Sequence, residues 1–337
     1  MTDQAITFDD VLLVPSYNHH ESRRVVETTS VDRLGKLSLE LPVISSNMDT
    51  ITGSTMANFM SSKGAMGALH RFMTIEENIQ EFKKCSGMVF VSVGCTDSEL
   101  HRAEALRDAG ADYFCVDVAH AHAKYVGKTL KNLRQMLADR CIMAGNVATY
   151  AGADYLASCG ADIIKAGIGG GSVCSTRIKT GFGVPMLTCI LDCSRSDRSI
   201  VADGGIKTSG DIVKALAFGA DFVMIGGMLA GTSPTPGDFI EKEDGSKVKR
   251  YRGMASQEAQ EAFLGPMHEW KTAEGVATEV PFKDNPDAII ADIVGGLRSG
   301  LTYAGADTIS ELQRKLNYVR VTQAGRIESL PHKLLES

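Results

Sequence analysis

Short apolar runs recur along the chain every few tens of residues, and amphipathic stretches separate most of them. The runs are brief and rich in apolar and β-branched residues, so they predict eight β-strands: Pro42–Ser46, Ala65–Leu69, Met88–Val93, Tyr113–Val118, Cys141–Gly145, Asp162–Ala166, Ser199–Ala202 and Phe222–Ile225. Apolar residues at helical spacing predict helices between them, including Thr74–Lys84, Asp97–Ala109, Lys124–Leu137 and Ser209–Phe218. Strands that are apolar on both faces are typical of a parallel sheet. The pattern therefore predicts an α/β fold with eight strand–helix units.

A short internal repeat supports this count of units. Gly110, Gly160 and Gly219 each begin a Gly-Ala-Asp tripeptide that follows a helical stretch and precedes a strand. Glycine is favoured at the end of a helix, where the backbone often turns left-handed. We predict a (β/α)8 TIM barrel, because it accounts for eight such units better than an open doubly wound sheet does. The expected organisation is one catalytic domain over residues 1–337.

Polar residues follow several of the predicted strands, where a barrel of this kind places its chemistry. They come after the first, second, fourth and fifth strands: Asn47, Asp49, His70, Arg71, Asp117 and Asn146. The loops after the seventh and eighth strands contain the glycine pairs Gly204-Gly205 and Gly226-Gly227. In barrels these two loops often bind phosphate through backbone N–H groups. Tight turns also use glycine, but two pairs in consecutive loops favour a phosphate site.

The loop after the sixth strand reads GIGGGSVCSTR from Gly167 to Arg177. Glycine lets backbone N–H groups approach an anion closely, and Cys174 is a soft nucleophile. Taken alone, the loop could equally be a steric feature with a buried cysteine, since both are common in α/β proteins. Its position at the mouth of the predicted barrel favours phosphate binding together with covalent catalysis.

After the eighth strand the chain changes character. Residues 231–250 are rich in Pro, Gly, Ser and charge, which indicates an exposed excursion such as a hairpin. Residues 254–280 have loop and helix character and contain the only tryptophan, Trp270. Long insertions on the catalytic face of a barrel often act as lids. We expect residues from about 231 to 280 to form an excursion and flap that could close over the site.

Composition and charge exclude several classes of function. With 337 residues, 44% of them hydrophobic, the chain can bury a large core, and its net charge of −6 provides no basic field for nucleic acid or anionic lipid. The first ten residues do not resemble a secretion signal, and no apolar run is long enough to span a membrane. We therefore expect a cytoplasmic protein without nucleic-acid or membrane partners.

Cysteine and histidine spacing favours neither a disulfide framework nor a metal centre. The eight cysteines include no C-x-x-C pair, and Cys189 and Cys193 stand four apart in a predicted helix, where packing on one face explains the spacing. The pairs His19-His20 and His120-Ala-His122 have no acidic or cysteine partner at ligand spacing in the sequence. We predict no required metal.

Several motifs together resemble the IMP dehydrogenase and GMP reductase family. They occur in the family's order over nearly the whole chain: FDDVLLVP at Phe8–Pro15, NMDT at Asn47–Thr50, GIGGGSVCSTR at Gly167–Arg177, ADGG at Ala202–Gly205, GGMLAG at Gly226–Gly231, YRGM at Tyr251–Met254 and GGLRSG from Gly295. The resemblance implies a purine nucleotide, GMP or IMP, in the barrel mouth, attack on C2 of the base by a cysteine, and hydride exchange with a nicotinamide cofactor. It also implies a homotetramer.

The resemblance further implies roles for individual residues. Cys174 is the expected nucleophile, and Thr176 with Glu274 is the expected hydroxyl–carboxylate pair that protonates the leaving amine, which departs poorly without a proton. Without the resemblance, Thr176 would be taken for a turn hydroxyl and Glu274 for a surface carboxylate. The residues expected to bind substrate are Ser46, Met48, Ser172, Asp203, Gly204, Gly205, Gly226, Gly227, Tyr251, Gly253, Met254, Ala255 and Lys271. Those expected near the cofactor are Arg71, Asp117, His120, Asn146 and Gly167, and a K+ ion could bind at Gly169, Gly171 and Cys174.

Three features favour the reductase within this family. His70 runs through Thr74 straight into a helix, which leaves no room for the CBS modules that the dehydrogenase usually carries there. NMDT at Asn47–Thr50 resembles the reductase motif. Only seventeen residues lie between Ser256 and Glu274, and they contain no Arg-Tyr pair of the kind that activates water in the dehydrogenase flap. The expected reaction is NADPH-dependent deamination of GMP to IMP and ammonia.

Other features resemble the dehydrogenase, which oxidises IMP to XMP with NAD. ADGGIK at Ala202–Lys207 and AGRIESLPH at Ala324–His332 are closer to its patterns, and the second resembles a segment that helps to hold potassium. Lys271 and Ala273 stand where reductases tend to have Arg and Ser, and Arg71 replaces a Lys near the cofactor. An IMP dehydrogenase lacking CBS domains therefore remains an alternative, and a nucleotide-sensing barrel without turnover is a second.

Overall fold

The computed structural model describes residues 4–331 and contains a closed barrel of eight parallel strands. Three short strands precede the barrel: β1 (Val11–Leu13), β2 (Ser30–Val31) and β3 (Ser38–Leu39). The barrel strands pair in chain order and the last pairs with the first: β4 (Val43–Ser45), β5 (Met66–Leu69), β6 (Val89–Val93), β7 (Tyr113–Asp117), β8 (Cys141–Val147), β9 (Ile163–Ala166), β10 (Ser199–Asp203) and β11 (Phe222–Ile225). The predicted (β/α)8 TIM barrel is confirmed, and each predicted strand agrees with an observed one to within two residues at either end.

Helices connect successive barrel strands. Along the barrel they are α1 (Ser54–Ser62), α2 (Ile75–Lys83), α3 (Asp97–Asp108), α4 (Lys124–Leu137), α5 (Tyr150–Ser158), α6 (Thr176–Thr180), α7 (Met186–Cys193) and α8 (Ser209–Ala217). Polar caps set several of their starts. Thr74 and Thr208 each accept from a backbone N–H of the first turn while an acidic side chain three residues later bonds back to the cap. Among the described residues no helix is long and apolar enough to cross a bilayer.

The barrel interior is filled by apolar side chains rather than solvent. One buried cluster collects inward-facing residues from all eight strands, including Ile44, Phe90, Ile163 and Phe222. Leu37 and Leu39, from the ribbon formed by β2 and β3, pack into the same cluster. Truncating such a fully buried phenylalanine to alanine typically costs about 3–5 kcal/mol. This closed interior fixes the strand ends that carry the polar residues of the barrel mouth.

A second, smaller sheet lies beyond the eighth barrel strand. Its strands are β12 (Ile240–Glu241), β13 (Lys247–Arg252) and β14 (Ala277–Pro281), which pair antiparallel, and α9 (Gln257–Leu264) lies between β13 and β14 in the chain. The chain then continues through α10 (Asp287–Ala304), α11 (Ile309–Arg314), β15 (Tyr318–Arg320) and α12 (Gln323–Glu328). Strand β15 pairs antiparallel with β1. Of the dehydrogenase-like tail Ala324–His332, His332 lies outside the described residues.

Candidate active site at the barrel mouth

A cavity of about 470 Å³ opens at the carboxyl ends of the barrel strands. Its wall contains every residue predicted for catalysis and substrate contact, and also Gly169 and Gly171. Four of the five residues predicted near the cofactor line it as well: Arg71, Asp117, Asn146 and Gly167. The cavity therefore brings together side chains that are more than 200 positions apart in the sequence.

His120 is the exception. It lies on the loop between β7 and α4, its side chain is exposed, and it is absent from the cavity lining. The centroid of its ring is 6.5 Å from that of His122. The cavity does not support a cofactor contact for His120, and that role stays a prediction.

Cys174 lies half-buried at the end of the glycine-rich loop. Its Sγ is 3.2 Å from the hydroxyl of Thr176, to which it donates, and its backbone N–H donates to the carbonyl of Gly171 at 3.1 Å. A neutral thiol is a weak nucleophile, and a thiol needs nearby dipoles or cations to favour the thiolate. The short contact shows that the thiol and the Thr176 hydroxyl face the same point in the cavity.

The segment that follows α9 is joined to the cysteine loop by main-chain hydrogen bonds. Ser175 N–H donates to the carbonyl of Glu274 at 2.8 Å, and Val276 N–H donates to the carbonyl of Val173 at 2.9 Å. Cys174 and Gly275 form an antiparallel bridge between these contacts. Because Glu274 also lines the cavity, this pairing delivers a flap carboxylate to the same wall as Cys174 and Thr176.

Polar contacts also anchor the flap where α9 begins. Arg252 forms ion pairs with Asp49, on the loop after β4, and with Glu258 in α9, the latter at 2.9 Å. Glu258 in turn pairs with Arg250. The partly buried Arg252 thus ties the start of α9 to the barrel. The part of the flap that contains α9 is therefore held on both sides, by Arg252 before it and by Glu274 and Val276 after it.

Two carboxylates inside the cavity share one buried ammonium group. Lys165 Nζ lies 2.7 Å from Asp117 Oδ1 and 3.0 Å from Asp203 Oδ2, and Lys165 is only 2% exposed. Side chains alternate along a strand, so these three residues lie one step above Cys115, Ile163 and Val201 of the apolar interior. They form the first charged layer above the apolar barrel core.

Electrostatics favour the ionised forms of Asp117 and Lys165. Burial alone would raise the pKa of Asp117, but the Lys165 ammonium outweighs it and holds that pKa below its usual value. Burial would likewise lower the pKa of Lys165, yet the two carboxylates raise it above its ordinary value. Asn146 Nδ2 donates to Asp203 Oδ2 at 2.9 Å and to the carbonyl of Gly167 at 2.7 Å. The layer is therefore a fixed, charged platform at the base of the cavity.

The glycine pair after β11 faces a small polar recess. The Ser172 and Tyr251 hydroxyls are 2.9 Å apart, and a Cβ added to Gly227 would lie 3.1 Å from Ser172 Oγ. A Cβ added to Gly226 would lie 2.6 Å from Ser46 Oγ, a buried hydroxyl with no hydrogen-bond partner within residues 4–331. Hydroxyls and free backbone N–H groups around a gap of this kind suit a phosphate.

Close backbone packing explains another glycine of the cysteine loop. Gly167 has a φ of +144°, and a Cβ there would lie 2.0 Å from the carbonyl oxygen of Asp203. A side chain at this position would force apart the loops after β9 and β10. Gly167 thus keeps the loop of Cys174 in contact with the strand end that carries Asp203.

Lys165 lies in the cavity wall, although no role for it was predicted from the sequence. One signal was available, because Lys165 is a charged residue between apolar neighbours in the predicted strand Asp162–Ala166. Its two partners are 48 and 38 residues away in the chain, so local spacing could not pair them. Phe72 and Gln260 also line the cavity without having been predicted.

Comparison with known proteins identifies relatives along the whole chain. A model of the IMP dehydrogenase / GMP reductase domain matches residues 5–332. GMP reductase 2 of Mus musculus is 39% identical over 334 residues, which cover 95% of each chain. A structure of GMP reductase from Trypanosoma brucei in complex with guanosine 5'-monophosphate has a TM-score of 0.92 at 29% identity, covering 99% of each chain. A structure of inosine 5' monophosphate dehydrogenase from Legionella pneumophila is 90% identical with a TM-score of 0.89, covering 96% of this chain and 100% of that one.

Proposed function

Because the chain belongs to the IMP dehydrogenase and GMP reductase family of oxidoreductases, we propose that it converts GMP to IMP and ammonia with NADPH as reductant. The observation that carries the proposal is the pairing of residues 173–175 with residues 274–276, which puts Glu274 beside the loop of Cys174 and Thr176. Departure of an amine needs a proton donor near the leaving nitrogen, and Glu274 would be that donor. The Trypanosoma brucei relative, whose structure holds GMP, supports the choice of substrate.

GMP binding is assigned to the recess and the charged layer. Its phosphate would accept from Ser172, Tyr251 and the backbone N–H groups of Gly226 and Gly227. Its ribose hydroxyls would donate to Asp203, whose position Lys165 and Asn146 fix through hydrogen bonds. Ser46, beside Gly226, would also face the phosphate, with Gly204 and Gly205 beneath it. The remaining predicted contacts would lie along the base: Met48, Gly253, Met254, Ala255 and Lys271.

The chemistry on the nucleotide proceeds in two stages. The Cys174 thiolate forms a bond to C2 of the purine, and the 2-amino group leaves as ammonia after taking a proton relayed from Glu274 through the Thr176 hydroxyl. C2 then accepts a hydride, the C–S bond breaks, and the thiolate is restored. One GMP, one NADPH and two protons give one IMP, one NADP+ and one ammonium ion.

NADPH, when bound, supplies the hydride. The residues on the β5–β8 side of the cavity fit such a group, because Arg71 offers a cation and Phe72 an aromatic ring in one wall, with the guanidinium 5.3 Å from the ring centroid. Arg71 and Phe72 would hold the cofactor, and Asp117 and Asn146 would orient its reacting ring. A preference for NADPH over NAD is part of the proposal and can be measured directly with both cofactors.

Oxidation of IMP to XMP with NAD is the second candidate reaction. A specific observation favours it: the 90% identical structure from Legionella pneumophila bears the dehydrogenase name. Against it stands the flap, since the seventeen residues between Ser256 and Glu274 contain neither Arg nor Tyr to activate a water molecule. We therefore place the reductase first.

A paired assay separates the two reactions. The protein is mixed with GMP and NADPH, and separately with IMP and NAD in the presence of K+, while nicotinamide absorbance is followed. Loss of absorbance only in the first mixture supports the proposal, and gain only in the second supports the dehydrogenase. No change in either mixture, with nucleotide binding retained, identifies a nucleotide-sensing barrel.

Three further assignments follow from the family and stay proposals. We propose that the whole chain forms one catalytic domain with the flap at about residues 231–280. We propose a homotetramer, which sedimentation analysis would distinguish from a monomer or dimer. Potassium at Gly169, Gly171 and Cys174 is tested by running the same assay with K+ replaced by Na+.

A further inference from the structure

A group of ionisable side chains lies outside the cavity, where the segment after β1 meets the turn after α10. His19, His20 and Asp307 each offer one ligand atom, and these atoms lie within 4.8 Å of one another. None of the three lines the active-site cavity. The sequence offered no acidic partner for the two histidines because Asp307 is 287 positions beyond His20.

The hydrogen bonds of His20 define which of its ring nitrogens carries a proton. Asn18 Oδ1 accepts from the backbone N–H of His20 at 2.9 Å, so this amide atom is an oxygen. The same oxygen lies 2.8 Å from His20 Nδ1, which must therefore be the donating N–H. In the neutral ring, the lone pair of Nε2 then points at Asp307 Oδ1, 2.5 Å away.

The two atoms that face each other, an imidazole nitrogen and a carboxylate oxygen, are both common ligand atoms for metal ions. His19 Nε2, 3.4 Å from the same carboxylate oxygen, adds a third ligand atom beside them. A histidine whose other ring nitrogen donates to a fixed acceptor is the usual arrangement of a metal ligand.

We propose that His19 Nε2, His20 Nε2 and Asp307 Oδ1 bind a divalent transition-metal ion such as Zn2+. Two imidazoles and a carboxylate are ligands that suit zinc or cobalt rather than magnesium or calcium. Ligand atoms that lie about 2.1 Å from a tetrahedral metal ion are about 3.4 Å from one another. His19 Nε2 and Asp307 Oδ1 are already separated by 3.4 Å. Such an ion binds the neutral imidazole nitrogens and the ionised carboxylate, so its affinity should fall at acid pH.

Burial makes this arrangement partly preformed. The His20 side chain is 2% exposed and anchored by Asn18, whereas those of His19 and Asp307 are 49% and 54% exposed. The exposed carboxylate can withdraw from His20 to admit the ion, and water can reach the fourth ligand position. The ion would join the segment containing Asn18 to the turn after α10, where Glu27 N–H already donates to the carbonyl of Asp307 at 2.8 Å.

The test is metal titration of the whole protein after treatment with a chelator. Zn2+ and Co2+ are titrated by calorimetry, Co2+ is also followed by its visible spectrum, and the thermal midpoint is measured with and without ion. We expect one tightly bound ion per chain, a tetrahedral Co2+ spectrum without thiolate bands, and a higher thermal midpoint. The spectrum matters because the described residues include eight free cysteines, which also bind these ions.

Variants distinguish this site from the thiols. His19→Ala and Asp307→Asn should each abolish tight binding of the ion and the rise in thermal midpoint that it causes. Asn18→Ala should weaken ion binding by about 10- to 100-fold. His101→Ala, which removes an exposed histidine of α3, is the matched control and should bind like wild type. Absence of binding in wild type, or binding that survives both His19→Ala and Asp307→Asn, would overturn the proposal. These outcomes are independent of the reaction that the cavity catalyses.

Discussion

The backbone N–H of Ser175 donates to the carbonyl oxygen of Glu274 at 2.8 Å. This single contact joins the residue after Cys174 to a residue of the flap. Main-chain pairing fixes the course of the flap more firmly than a side-chain contact would, because both partners belong to main chain held by further hydrogen bonds on either side. The flap therefore forms part of the cavity wall beside Cys174.

Glu274→Gln should slow amine departure while leaving nucleotide binding intact. Glutamine retains the size of the side chain and the backbone pairing but cannot deliver a proton. We expect kcat for GMP deamination to fall by about 10²- to 10⁴-fold with a nearly unchanged dissociation constant for GMP. Steady-state kinetics and calorimetry check this, with Glu269→Gln, an exposed flap glutamate, as control. An unchanged kcat would exclude Glu274 from the proton relay.

Cys174→Ser should bind GMP yet lose turnover. A serine hydroxyl is scarcely ionised at neutral pH and attacks C2 poorly without a dedicated base. Loss of a nucleophile can cost roughly 10⁶-fold in kcat, so we expect activity below detection. Cys85→Ser, a half-buried cysteine outside the cavity, is the control. Wild-type turnover in Cys174→Ser would contradict covalent catalysis.

Lys165→Met should destabilise the protein most at neutral pH, and its deficit relative to wild type should shrink as the pH falls. Removing the cation leaves two carboxylates facing each other in a buried layer, which costs about 3–5 kcal/mol at neutral pH. The pKa of Asp117 is lower in the fold than in the unfolded chain, so its ionised form stabilises the fold above its ordinary pKa. Wild type therefore loses this stabilisation as the pH falls through the lowered pKa of Asp117. Lys165→Met lacks the ammonium group that lowers this pKa, so it does not have this stabilisation to lose.

Denaturant unfolding between pH 3 and pH 7 measures both effects. Lys165→Arg retains the charge and should recover much of the stability, while Lys283→Met removes an exposed lysine and should change little. If the stability deficit of Lys165→Met stays the same from pH 7 to pH 3, the ion pairs with Asp117 and Asp203 are not its cause.

Gly226→Ala should weaken GMP binding without unfolding the protein. The added methyl would lie 2.6 Å from Ser46 Oγ and 3.5 Å from Tyr251 Oη, inside the recess assigned to phosphate. We expect KM for GMP to rise about tenfold or more, equivalent to roughly 1.4 kcal/mol. Gly295→Ala, in α10 with no atom within 4 Å of the added Cβ, should leave KM unchanged. Equal KM values for the two variants would place the phosphate elsewhere.

The strands were predictable because burial on both faces requires continuous apolar runs, as in Phe222–Ile225, whose limits agree with the structure. From spacing alone the site was predictable only at the glycine-rich loop that carries Cys174. Thr176 and the distant Glu274 were predicted from the family resemblance. Lys165 with Asp203, and His20 with Asp307, meet through the closure of the barrel and the packing of α10. Such partners depend on tertiary structure, and spacing along the chain carries no signal for them.

The most direct test of the proposed reaction is the mass of the product made from GMP with NADPH deuterated at both positions of C4. If the cavity reduces C2 after the amine leaves, wild-type protein will release IMP one mass unit heavier, with one ammonia for each NADPH consumed. Formation of IMP without deuterium, or the absence of IMP from a protein that binds GMP, would contradict the account.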